Sequence, residues 1–139
     1  MIMHSDNTGT DMSFKLVGPD NVRTFIASAG LHNTLVPDST RVFFGYLFGA
    51  KNYQDFTWDD LQKAIRDNDP IINSPLNKVE TLASSADDLV SYYSRALQGA
   101  FFKNRQILNE FRRILSLGDA IWLVPLPLGG QRLRQGWQH

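Results

Sequence analysis

Two interleaved apolar rows constrain this chain more than anything else in its sequence. Leu76, Ala83, Val90, Leu97, Asn104 and Phe111 form one row, and Val79, Ala86, Tyr93, Ala100, Ile107 and Ile114 form the other. The spacing alternates between three and four residues, which lays both rows along one side of an α-helix. Asn104 alone breaks the apolar character of the seam. Ser74-Pro75 supplies a capping hydroxyl and a first-turn proline, and Gly118 supplies a stop. The pattern predicts one long C-terminal helix over about 75–117, with kink points near 84, at Ser84-Ser85, and near 99, at Gly99. Unbroken, such a helix would run roughly 65 Å. A compact domain of this size is nearer 30 Å across, roughly, so the helix must bend or project towards a partner.

The N-terminal half carries shorter helical signals. Gly18-Pro19 opens a helix from about 20 to 29, with Val22, Phe25, Ile26 and Ala29 at helical spacing and Gly30 as terminator. Phe14–Val17 reads as a short extended piece. Asp38 or Ser39 caps a run over Arg41–Ala50 that is apolar on all sides. Thr57-Trp58-Asp59-Asp60 has the spacing of a capping box, and that helix ends before Asn68-Asp69-Pro70. Residues 1–12 are polar and without period, and read as a disordered tail. The expected organisation is that tail, a single helical domain over 13–130, and a flexible tail over 131–139. The fold class is mainly α: a small helical bundle, its long helix followed by an extended proline-containing arm around Ala120–Leu128.

Composition narrows the chemistry. The chain has no cysteine, which removes disulfides, thiolate metal sites and cysteine nucleophiles. Its three histidines, His4, His32 and His139, are scattered, and no metal is expected. Asp67-Asn68-Asp69 begins like a calcium loop but meets Ile72 and Lys78 where glycine and glutamate belong. No phosphate loop, nucleophile elbow or dinucleotide fingerprint is recognised, and no cofactor is expected. The formal net charge is zero, which argues against a dedicated nucleic-acid partner, although Arg105, Arg112 and Arg113 make the C-terminal third basic. No apolar run reaches the roughly 18 residues of a membrane span, so a soluble, cytoplasmic protein is expected, with no membrane partner.

What remains reads as surface for other chains. Small Ala96 and Ala100 let a neighbouring helix approach, and Asn104 either fixes the register of such a seam or reaches solvent. Tyr92 and Phe102 lie on the polar back of the helix, and Trp122 and Leu126 lie in the arm. These seven residues are the expected partner-binding set, the partner being the chain itself, as a homodimer or higher, or another protein. The leading expectation is a non-enzymatic interaction or assembly component. The alternative is a small-molecule-binding helical protein or enzyme, with a pocket drawn from Phe44, Tyr46, Phe48 and Tyr93.

Overall fold

A computed structural model describes residues 6–117. Six helices follow one another: α1 (Asn7–Val17), α2 (Pro19–Ser28), α3 (Thr40–Leu47), α4 (Trp58–Arg66), α5 (Ala86–Leu97) and α6 (Arg105–Leu115), with a 3-10 turn at Tyr53–Asp55. The described residues contain no strand and are 57% helical, as a mainly α chain requires. One isolated antiparallel bridge joins Leu35 to Ala83.

A helix occupies residues 7–12 of the expected tail, and residues 1–5 of that tail lie outside the described residues. Asp6 caps it, its carboxylate accepting from the Thr8 and Gly9 N–H groups at 3.1 and 3.0 Å. Thr10 and Ser13 turn their hydroxyls back onto the carbonyls of Asp6 and Gly9. The segment is held by such polar contacts and buries no residue, so no apolar period announces it. Phe14–Val17 belongs to this helix rather than to an extended piece. Gly18, at φ 88°, turns the chain directly into α2, with Pro19 in its first turn.

The long C-terminal helix is two helices, and its first eleven residues are not helical at all. Asn77 accepts from the Val79 and Glu80 N–H groups at 2.7 Å each, and Thr81 donates to the Pro75 carbonyl at 2.6 Å. These local side-chain bonds compete with the helical ladder and win over residues 75–85. Ser85 then caps α5 by accepting from Asp88 N–H at 3.1 Å. Gly99, at φ 92°, ends it, and Leu108 packs within 3.0 Å of where a Gly99 Cβ would stand. Asn104 opens α6, accepting from Ile107 N–H at 2.9 Å. The polar interruption of the seam is therefore a helix cap. The three-four spacing runs across the break without making one buried face: Ala96 and Leu108, beside the seam, are buried, whereas Val90, Tyr93, Leu97 and Ile107 within it are exposed.

Two apolar clusters make the core. Val42, Phe43 and Leu47 of α3 meet Phe56 and the Leu61 and Ala64 side of α4. Ala29, Leu31, Ala96 and Leu108 belong to the second cluster, where Phe25 stands edge-on to Phe101 at 5.1 Å and Tyr92 stacks on Phe101 at 5.8 Å. Arg95 lies over the Phe101 ring at 5.0 Å and donates to the Ala29 carbonyl. On the outer side of α5, Val90, Tyr93 and Leu97 remain exposed in one stripe.

Candidate active-site segment

The head of α1 combines three properties: a capped helix start, an uncommitted amide and a link to a second helix. The Asp6 carboxylate is occupied by the Thr8 and Gly9 N–H groups. Asn7, the first helical residue, is exposed, and its side-chain amide has no hydrogen-bond partner among the described residues. That amide offers one acceptor and two donors. One turn further, Asp11 accepts from the Thr40 and Arg41 N–H groups at 2.7 and 3.1 Å. Those are the first two N–H groups of α3, and the third, from Val42, goes to Ser39 Oγ at 3.1 Å. The opening turn of α3 is thus fully satisfied, two of its donors by a carboxylate from another helix.

Residues 36–82 leave and return to the helical frame through a narrow neck. The Leu35–Ala83 bridge closes it, with N···O distances of 2.8 and 3.1 Å. Thr34 Oγ lies 2.8 Å from both Ser84 Oγ and an Asp88 oxygen, and Asn33 N–H donates to the same carboxylate at 2.8 Å. Burial opposes ionisation of Asp88, but the Thr34 and Asn33 hydrogen bonds outweigh it and hold its carboxyl below the usual range. Glu80, 5% exposed, accepts from Asp38 N–H at 3.0 Å. Its burial prevails over that bond and pushes its carboxyl up. Arg23 clamps the other side of the neck, on Asp38 at 2.6 Å and on the Val36 carbonyl.

The residues singled out from sequence are dispersed. Ala96 is fully buried inside the chain's own core, not on an outer seam. Tyr92 is half-buried between Phe25 and Phe101, and that burial raises its phenol. Phe102 lies against Phe111 at 4.9 Å, Asn104 caps α6, and Ala100 is exposed. Trp122 and Leu126 lie outside the described residues, as does the whole arm. The four expected pocket residues do not converge. Phe44 pairs with Phe43, Tyr46 with Tyr53 and Phe48 with Phe56, whereas Tyr93 stands on α5 beside Tyr92. An open cleft of about 440 Å³ takes in Phe48 and Phe56, with Asp55, Asp60, Lys63 and Asp69 at its rim. Among the described residues no three histidine or carboxylate side chains gather as a metal site, and no helix is long and apolar enough to cross a membrane.

A model of the β-lactamase enzyme family (Beta-lactamase2) matches residues 1–116. The chain belongs to that family. No curated protein and no solved structure gives a significant match to it. Membership in an enzyme family overturns the expectation of a non-enzymatic interaction or assembly component. It also redirects attention to the N-terminus. Serine β-lactamases and penicillin-binding proteins carry three short motifs, S-x-x-K, S-D-N and K-T-G. Ser5-Asp6-Asn7 spells the second, and neither of the others is spelled within residues 1–139. Sequence reasoning passed over this tripeptide because three polar residues carry no period and looked like tail. The legible signal was the tripeptide itself, joined to a hydroxyl-rich helix start at Thr8 and Thr10.

Proposed function

We propose that this chain contributes the S-D-N segment of a serine-type acyl hydrolase site, acting on β-lactams or related acyl compounds. The observation that carries the reading is the sequence Ser5-Asp6-Asn7, of which Asp6 caps and Asn7 opens α1, inside a family match that spans residues 1–116. The chemistry fits the residue types. Asp6 spends its carboxylate on the helix cap and so fixes the start of α1 at Asn7. The Asn7 amide stands exposed, with no partner among the described residues and with groups that can bond the carbonyl or carboxylate of an acyl substrate. The Ser5 hydroxyl is both donor and acceptor, and so can bond substrate or pass a proton. Acyl transfer in this class also draws on a nucleophilic serine activated by a base and on S-x-x-K and K-T-G, so the proposal concerns substrate binding and proton relay at Ser5-Asp6-Asn7.

Backbone amide spectra of the full chain, titrated with benzylpenicillin, test the proposal. Saturable shifts centred on Asp6 and Asn7 are expected, and Asn7→Ala should abolish them without changing the helical circular dichroism. Absence of shifts at these amides up to millimolar ligand would overturn the reading.

A further inference from the structure

Among the described residues, helix α5 is covered on one side only. Its Asp88 and Ala96 are buried, and Tyr92 and Arg95 are half-buried against Phe25, Phe101 and the Ala29 carbonyl. The opposite side carries Ala86, Val90, Tyr93 and Leu97, at spacings of four, three and four residues that line one face of a helix. Leu89 joins this row four residues before Tyr93. Val90 is 69% exposed, and Leu89, Tyr93 and Leu97 are 48%, 43% and 42% exposed. The row holds no charged side chain. A contiguous exposed apolar stripe of this kind marks a contact surface.

The described chain ends close to one end of this stripe. Arg112 of α6 donates to the Leu97 carbonyl, at the C-terminal end of α5, and Leu117 follows less than a turn and a half later. Next in sequence comes Ala120–Leu128, with Ile121, Trp122, Leu123, Val124, Leu126 and Leu128 and no charge. We propose that Ala120–Leu128 of the same chain is the occupant of the α5 stripe, running from the Leu97 end towards Ala86. Pro125 and Pro127 bar that run from continuing α6 as a helix. At the rise of an extended proline-rich chain it reaches about 28 Å, against about 18 Å for α5, so it is long enough to cover the whole row. The direction also matches charge. Exposed Asp87 stands at the far end of α5, and Arg132 and Arg134 follow the apolar run in sequence. The contact is independent of the Ser5-Asp6-Asn7 site.

The chain has no cysteine, so a single introduced one carries a spin label without interference. In the full chain labelled at Gly129→Cys, the Ala86 and Val90 amide signals should be lost and should return when the label is reduced, while the Phe43 amide in α3 keeps its intensity. Val90→Asp, on the stripe, and Leu126→Asp, on the apolar run, should each restore both signals with the helical circular dichroism unchanged. Leu126→Asp decides the matter should Val90→Asp disturb the helix. In a mixed sample, isotope-labelled chain without the spin label meets spin-labelled chain without the isotope, and all signals should persist. Signal loss in that mixture gives the stripe to a second copy and overturns the proposal. Retention of the Ala86 and Val90 signals in the spin-labelled chain, or a loss indifferent to Leu126→Asp, overturns it as well.

Discussion

Glu80 and Asp88 sit at the same neck yet are driven in opposite directions, which shows how finely burial and hydrogen bonding are balanced there. Both are buried carboxylates. Asp88 meets a hydroxyl and an N–H from the Asn33-Thr34 turn, and these keep it ionised. Glu80 has one N–H partner, from Asp38, too little to offset its burial. The signs follow from linkage. Asp88, with its folded carboxyl held low, contributes stability above the unfolded carboxylate range near pH 4, roughly, and loses it as pH falls further. Glu80, held high, favours the fold below that range and loses this contribution as pH rises through its folded value. Glu80→Gln keeps an acceptor for Asp38 N–H and removes the buried charge. The variant should melt a few degrees above the wild type at pH 7, with the gain vanishing below pH 4, roughly. Thermal melts at several pH values check this, and an equal offset at every pH would show that charge burial is not the cause.

At the scale of elements, caps and terminators were legible and packing was not. Thr57 and Asp60 complete the reciprocal box that their spacing predicted, Ser39 rather than Asp38 caps α3, and Ser85, at the expected kink, caps α5. The Thr57 hydroxyl and N–H hold the Asp60 carboxyl low, as the box requires. Helix α1 escaped notice because it is secured by Asp6, Thr10 and Ser13 rather than by an apolar face. The division between α5 and α6 escaped because one three-four pattern runs through both elements, and only Gly99 and the capping Asn104 mark the break. Gly45 teaches a related lesson. Glycine is a poor helix former, yet within α3 close approach requires it. A Cβ there would stand 2.6 Å from Phe56 Cβ and 2.8 Å from the Tyr53 carbonyl oxygen. Gly45→Ala should therefore destabilise the fold, although alanine is the better helix former. The overpacking range of about 1–3 kcal/mol applies, measurable by urea unfolding. A stabilised variant would mean that α3 and the 3-10 turn are not packed as described.

For the whole molecule, the family match and the helical architecture together shift the emphasis from the long seam to the short polar start. The expected aromatic pocket dissolves into separate pairs on α3 and α5, because an apolar run announces burial without saying against what. The proposed site residues are polar, short in sequence and silent to periodicity, so they emerged only with the family. What the structure adds is the context of Asp6 and Asn7: a capped α1, an Asn7 amide without a partner among the described residues, and Asp11 one turn on, bonded to the first two N–H groups of α3. Calorimetric titration of benzylpenicillin into the full chain, beside a chain carrying both Ser5→Ala and Asn7→Ala, tests this most directly. Saturable heat in the wild type, lost in the double variant while both keep the same helical circular dichroism, is the predicted result. Equal binding by the two proteins, or none by either, would contradict the assignment of Ser5-Asp6-Asn7 to the acyl-substrate site.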